Sequence, residues 1–507
     1  VLDHLPLTPV GKLDRGALPE PLAPQAGEFV AAESEIERRI ADAFADVLGV
    51  DRVSVTTSFF DLGGNSLSAM RVAARVGEIL GADLSVRDLF DAPSVRELAS
   101  PERVGRPALG EITARSPRPD RIPLSFGQQR MWFINQFEPN EATYNIPIVV
   151  RLSGDVDVDV LRTAVSDIVE RHEILRTVFP GDNDGARQVI LSSDDPAAAP
   201  DWATVGSAAQ IAEAAGTGFD STVAPPWRIR VCRQGDGSLL FAAVLHHIVA
   251  DGESMAPLIG DLAIAYAARR AGNEPQFPPL AVQFADFAIW QHEVLGSPDD
   301  DASVAGTQLR FWEKQLSDVP DVLQLPADRP RPEVATHVGA RVDFDLPAPI
   351  VARVTALASE AGATPFMVIH SALTVLLARL GDNDDVVVST PVAGRGRAVL
   401  DPLVGMFVNT LVLRTRLSLG FSFRDVLAGV RATDLGSFAH ADVPFESVVE
   451  RVNPTRSQSF APLAQVMLAF TEPAPAIAAD DTGGLGVEPI AVDFVPAQVD
   501  VTVEVHA

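Results

Sequence analysis

A polar, proline-punctuated stretch from Ser100 to Asp120, with Pro101, Pro107, Pro117 and Pro119, constrains this chain more than any other feature. Proline fixes φ and withholds a backbone donor, so such a run continues no helix and fits inside no sheet. It reads as a semi-extended linker between two folded parts. A second run, Val1 to about Gly27, carries Pro6, Pro9, Pro19, Pro21 and Pro24 and is too short to bury a core. The expected organisation is a tail over 1–27, a small unit over 28–99, a linker over 100–120 and a large unit over 121–507.

The small unit reads as helical. Ser34 and Glu37 form a capping-box pattern ahead of Ile36, Ile40, Phe44 and Val47 at helical spacing. Gly63 and Gly64 make a flexible turn before a second amphipathic run, in which Leu67, Met70, Ala73, Val76 and Leu80 share a face. Ser66 is thereby set at or next to a helix N-terminus, where an attached phosphodiester anion is favoured. On spacing alone, a plain N-cap serine explains the pattern as well or better.

The large unit alternates strand-like and helix-like segments, the pattern of α/β layers in two lobes. Leu239 to Leu245 is a continuous apolar run that fits a buried strand, and His246 and His247 end it. Asp251 and Gly252 follow in a short loop before a helix expected from about Ser254. Adjacent side chains on extended backbone point to opposite sides, so one histidine at most faces a given cavity. The same geometry disfavours zinc, whose ligands must converge. A strand-end histidine is, by type alone, more often structural than catalytic.

Charge narrows the partners. With 40 Lys and Arg against 68 Asp and Glu, the formal charge is 40 − 68 = −28, which disfavours nucleic acid and anionic membranes. Cys232 is the single cysteine, so no internal disulfide and no Cys-rich zinc site is available. The first residues lack the basic head and apolar core of a signal peptide, and a cytoplasmic location is expected. The uncharged stretch Ala361 to Ala378 has Thr364 as an N-cap and Pro365 in the first turn, which marks a buried helix and not a membrane span.

Longer strings carry a family resemblance. FFDLGGNSL, Phe59 to Leu67, resembles the attachment motif of peptidyl carrier proteins, and the likeness extends over the whole small unit. It implies a four-helix bundle with 4′-phosphopantetheine covalently on Ser66 and Asp61 to Asn65 as the approach loop. LPLTPVGKLDRGAL resembles the last motif of adenylation domains, with Lys12 at the position of the lysine that contacts the adenylate. No substrate pocket accompanies it, so it reads as a linker that implies an upstream adenylation domain.

HHIVADG resembles the His-His-x-x-x-Asp-Gly motif of condensation domains of nonribosomal peptide synthetases, which share a fold with chloramphenicol acetyltransferase. The resemblance implies two such lobes in a V shape, an N-lobe over about 121–300 and a C-lobe over about 301–507. It implies that His247 faces a tunnel, that His246 is mainly structural, that Asp251 orients the loop through an arginine, and that Gly252 lets substrate pass close to backbone. SFGQQRMWFINQFE, RHEILRTVF, FADFAIWQ, LVGMFVNTLVLR, ADVPFESVVERV and NPTRSQSFAPLAQVML resemble the family's other motifs, in order. Their residues Arg171, Arg176, Trp290 and Asn409 are expected to support the architecture. Arg395 is the first choice of partner for Asp251, and Arg171 the alternative.

Two departures stand out. Glu253 occupies a position often taken by tryptophan, which bears on the acceptor side of the tunnel. The chain stops at VDVTVEVHA, where the family usually continues with a strand and a helix, so a truncated second lobe is expected. The function implied is attack of an aminoacyl amine, held on a downstream acceptor carrier, on a donor thioester held at Ser66, after a phosphopantetheinyl transferase has installed the arm. Domain order suggests a donor ending in an L-residue or glycine. An epimerisation domain and a catalytically silent carrier-docking platform are the alternatives.

Overall fold

The computed structural model describes residues 29–100, 106–107, 110–137, 141–418, 420–471, 485–492 and 494–506. The adenylation-like tail with Lys12 lies outside them. The small unit is a bundle of α1 (Glu35–Leu48), α2 (Ser66–Leu80), α3 (Val86–Asp91) and α4 (Val95–Leu98). Helix α1 starts on the expected box, with Glu37 N–H donating to Ser34 Oγ at 3.1 Å, and stops at Gly49 in the left-handed region (φ 65°). Helices α3 and α4 repeat the device with Ser85/Asp88 and Ser94/Glu97. Ile40, Phe44, Phe59, Val72, Val76, Leu89 and Val95 fill the centre, with Phe44 edge-on to Phe59 at 5.2 Å.

The buried stripes differ from the expected ones. Ile36 is 44% exposed. Glu37 turns inward in its place, because it closes the capping box and takes Arg96 at 3.2 Å. In α2 the buried stripe is Ala69, Val72, Ala73 and Val76, while Met70 stays partly open.

The linker is extended, as expected, but it is not free. Arg106–Pro107 (β2) pairs with Ala82–Asp83 (β1) of the bundle. Ile112 is buried in the N-lobe core, Arg115 pairs with Glu293, and Arg118 is shared by Asp286 and Glu173. Arg115 and Arg118 thus meet acidic groups of the N-lobe, and Ile112 anchors the stretch there.

The N-lobe runs through α5 (Phe126–Phe137), β3 (Asn145–Ser153) and α6 (Val158–Arg171). Two small ribbons follow: β4 (Thr177–Val178) with β7 (Val189–Ile190), and β5 (Gly181–Asp182) with β6 (Gly185–Ala186). Then come β8 (Asp201–Thr204), α7 (Ala208–Ala215), β9 (Trp227–Arg233), β10 (Leu239–His246), α8 (Met255–Arg270) and α9 (Phe284–Leu295). The C-lobe contributes α10 (Val304–Gln315), α11 (Ala348–Glu360), α12 (Pro365–Gly381), β11 (Asp385–Val392), β12 (Asn409–Arg416), α13 (Phe423–Phe438), α14 (Phe445–Val452) and β13 (Val466–Thr471). Strands β14 (Gly486–Pro489) and β15 (Val501–His506) close the order. The N-lobe sheet is ordered β14-β3-β10-β9-β8 and the C-lobe sheet β12-β11-β13-β15. Helix α12 begins at Thr364 and Pro365 as expected, and among the described residues no single helix is long and apolar enough to cross a membrane.

The lobes are not consecutive in sequence. Strand β14 crosses back to pair with β3, covering what would be an open sheet edge. Leu400, Leu403, Val404, Met406 and Phe407, between β11 and β12, bury themselves in the N-lobe core. A simple division at residue 300 therefore misses two C-lobe excursions that fasten the halves together.

Candidate active site

All eight residues of β10 are buried, and its last residue, His246, pairs in the ladder with Asn145. The His246 ring lies inside the lobe, edge-on to Phe219, and its Nδ1 accepts from Ile248 N–H at 3.1 Å. Burial and the neighbouring His247 lower its pKa to about 3, so it stays neutral. His247 is one residue beyond the ladder and turns the other way. Its backbone N–H donates to the Tyr144 carbonyl at 2.8 Å, and its side chain lines a cavity of about 1790 Å³. Desolvation pushes the His247 pKa below the ordinary value, opposed by the charge of Asp251 and reinforced by that of Arg130. The site thus presents a neutral imidazole, a form able to accept a proton.

Asp251 is a structural hub beneath that ring. It is 1% exposed. Its Oδ1 accepts from Ser254 N–H at 2.9 Å, Ser254 Oγ at 2.7 Å and Arg395 Nη2 at 3.0 Å. Its Oδ2 accepts from Phe407 N–H at 2.9 Å and Val408 N–H at 3.2 Å. Arg395 Nη1 donates to the carbonyls of Leu400 and Leu403, at 2.8 and 2.7 Å, and Nη2 also to Ser254 Oγ at 2.9 Å, while the buried Nε has no partner. One carboxylate therefore joins the histidine loop of the N-lobe to the C-lobe excursion. Gly252 also lines the cavity, and a Cβ there would meet nothing within 4 Å. A methyl group at this position therefore has room on the wall of the cavity that His247 also lines.

The other expected residues separate. Trp290 lines the cavity and donates through Nε1 to Gly110 O at 2.6 Å. Asn409 is a satisfied amide: Nδ2 donates to the carbonyls of Ala441 and Val443, and Oδ1 accepts from Phe445 N–H at 3.0 Å. Arg171, the alternative partner for Asp251, instead binds Asp261 at 2.7 Å and the Pro278 carbonyl. Arg176 binds the carbonyls of Val169 and Leu191. Neither of these two arginines lines the cavity.

Ser66 is the first residue of α2. Asn65 caps the helix: its Oδ1 accepts from Ser68 N–H at 2.9 Å, and its own N–H donates to Ser68 Oγ at 2.8 Å. Ser66 is therefore not the N-cap, and its hydroxyl is released from that duty. Gly63 supplies the turn with φ 97°, and a Cβ on Gly64 would run into the Phe59 ring. Asn65 and Ser68, on either side of Ser66, line the same cavity as His247. The bundle is seated on the C-lobe, with Arg75 paired to Asp401, Glu78 to Arg397 at 3.2 Å, and Arg431 over the Phe90 ring at 5.3 Å.

The family model for the condensation domain matches residues 119–505, more than half of the chain, and that for the phosphopantetheine attachment site matches residues 38–100. The chain belongs to the condensation-domain family. A probable non-canonical nonribosomal peptide synthetase of Salinispora arenicola is 43% identical over 480 residues, covering 93% of this chain and 6% of that protein. A dimodular nonribosomal peptide synthase of Bacillus subtilis is 43% identical over 474 residues, covering 92% of this chain and 20% of that protein. The chain thus spans a small part of the length of the relatives it matches. Among solved structures, the X-domain from teicoplanin biosynthesis aligns with TM-score 0.72 at 32% identity, over 78% of this chain and 88% of its own. The first condensation domain of the CDA synthetase aligns with TM-score 0.58 at 21% identity, over 77% and 90%, a likeness of fold. 4′-Phosphopantetheine is the cofactor of the carrier domain.

Sequence reasoning left one pair in the condensation domain unassigned. Arg130 of α5 meets Glu446 of α14 at 3.3 Å and lies over the Phe445 ring at 5.3 Å, tying the lobes together along the cavity wall. Burial raises the Glu446 pKa, and Arg130 opposes that shift. Both residues stand in the motif strings above, but no spacing rule links positions so far apart.

Proposed function

We propose that this segment forms a peptide bond: a downstream carrier-bound aminoacyl amine attacks a thioester held on the pantetheine arm at Ser66, beside His247. The observation that carries the reading is the cavity that takes in both the neighbours of Ser66 and the side chain of His247. Ser66 suits the arm, since it follows a glycine turn, opens a helix whose N-terminal end favours a phosphodiester, and is relieved of capping by Asn65. When bound, 4′-phosphopantetheine supplies a flexible, thiol-tipped tether for the acyl group.

The chain's own residues do the rest. The walls of the cavity hold two tethered reactants together, a contribution of up to ~7–11 kcal/mol in favourable cases. The incoming α-amine has a pKa of roughly 8 and must be unprotonated to attack. His247, kept neutral by desolvation, takes a proton from that amine or holds it in line by a hydrogen bond. General-base help of this kind is worth ~10²–10⁴-fold. Asp251 and Arg395 fix the loop, and Gly252 keeps the approach open. The partners that follow are an upstream adenylation domain, a downstream acceptor carrier and a phosphopantetheinyl transferase.

A carrier-docking platform without chemistry is the second reading, favoured by the likeness to an X-domain that was solved in complex with OxyB, 32% identical. The open route to a neutral His247 supports catalysis over it. A single-turnover assay with a loaded donor on this chain and a loaded acceptor carrier separates the two. Amide formation that is lost in His247→Ala, with loading retained, and absent in Ser66→Ala supports the proposal. Full amide formation by His247→Ala refutes it, and α-carbon deuterium exchange without amide formation points to epimerisation.

A further inference from the structure

We propose that the docked carrier shields its own attachment serine, so that the bundle must leave the condensation domain before it is modified. The inference rests on the assignment of Ser66 as the attachment residue. Ser66 is 0% exposed although it opens a helix on a glycine turn of a small bundle. The cover is supplied by the other domain. Ser66 Oγ lies 2.6 Å from Thr364 Oγ1, the N-cap side chain of α12, and Thr364 is itself 1% exposed. The two hydroxyls satisfy each other, so the Ser66 oxygen is neither reachable nor idle.

The surface around this contact is built for register. Arg75 and Glu78, one turn apart on α2, face Asp401 and Arg397 on the C-lobe excursion. A shift along the surface sets like charges against each other, which disfavours other seatings. Arg431 over Phe90 adds a third point on α13 and α3. Ala74 packs against Gly396 so closely that a Cβ on Gly396 would lie 2.9 Å from the alanine methyl carbon.

Modification needs that surface opened. The transfer joins Ser66 Oγ to the β-phosphorus of coenzyme A and breaks the pyrophosphate bond. Adenosine 3′,5′-bisphosphate leaves with the electron pair, and the hydroxyl proton passes to the transferase. A protein catalyst cannot bring this chemistry to an oxygen sealed under α12. The rate of arm installation therefore scales with the undocked fraction of the unmodified chain, and this seating of the unprimed bundle and priming exclude one another; a primed bundle reaches His247 only with the Ser66–Thr364 contact opened.

The test uses the whole chain, a phosphopantetheinyl transferase and a fluorescent coenzyme A. Gly396→Leu drives its side chain into Ala74 of the docked bundle, since a Cβ alone at Gly396 would lie 2.9 Å from the Ala74 methyl carbon. This variant, which leaves the carrier itself untouched, is expected to take up label roughly three- to ten-fold faster than the parent. Asp401→Arg, which opens the seat without touching the carrier, is expected to label roughly three- to ten-fold faster than the parent, with an unchanged melting temperature. A parent rate of labelling in Gly396→Leu or in Asp401→Arg overturns the proposal. Label remaining in Ser66→Ala overturns the attachment assignment instead, which keeps the two failures apart.

Discussion

Replacing Asp251 by alanine is expected to cost more stability than replacing Arg395 by methionine, although the two share one ion pair. In Arg395→Met, Asp251 keeps four donors: Ser254 N–H, Ser254 Oγ, Phe407 N–H and Val408 N–H. The methionine stem still covers the Phe407 ring, over which the guanidinium sits at 4.1 Å. The loss is the counter-charge of a buried carboxylate, two carbonyl contacts and the Ser254 Oγ contact, about 3–5 kcal/mol. In Asp251→Ala, the Arg395 cation remains, 4% exposed, with no counter-charge. Breaking a buried pair in that way costs ~3–5 kcal/mol, and each backbone N–H left without an acceptor adds ~1–3 kcal/mol. The sum exceeds about 5 kcal/mol, a large share of the ~5–15 kcal/mol that holds a domain together. Urea unfolding followed by tryptophan fluorescence reads the difference. The double variant removes the stranded cation and is expected to be no worse than Asp251→Ala alone. Equal losses from the two single variants, or a double variant that costs their sum, refute the reasoning.

Further outcomes follow from the same geometry. If His247 accepts the proton, the fall in amide formation set by protonation of the amine, at roughly pH 8, is joined below the ordinary 6.5 by a second fall as His247 protonates, since desolvation holds its pKa down; a single-turnover profile with no such second limb contradicts this assignment. Gly252→Ala is expected to leave the melting temperature unchanged and to slow amide formation, because its Cβ enters the lining of the cavity and meets no protein atom within 4 Å; an unaltered rate shows that the reactants pass elsewhere. Gly64→Ala forces a methyl into the Phe59 ring and is expected to destabilise the bundle by about 1–3 kcal/mol, read by calorimetry.

What was legible in the sequence was local. The apolar run before His246 and His247, the Ser34/Glu37 box and the Thr364–Pro365 helix start all depend on neighbours within a few residues, and the structure places each as spaced. The alternation of an extended chain separates the two histidines, and the structure sends His246 into the lobe and His247 into the cavity. Ile36 fails on the same ground, since periodicity cannot know that Glu37 is drawn inward by its cap and by Arg96 from another helix. The contacts that join whole bodies left no local mark. Arg130 and Glu446, Asp251 and Arg395, and Ser66 and Thr364 belong to elements whose order in the chain says nothing of their meeting. Motif order suggested Arg395 but left Arg171 open, and only the burial of the 400–407 excursion decided between them. All three pairs join distant elements, and Arg130, Glu446, Asp251 and Arg395 line one cavity with the neighbours of Ser66. A docked carrier, a fixed histidine loop and a joined pair of lobes are therefore one arrangement. Loosening any one of these seams acts on His247 through the walls around it and not through the imidazole itself.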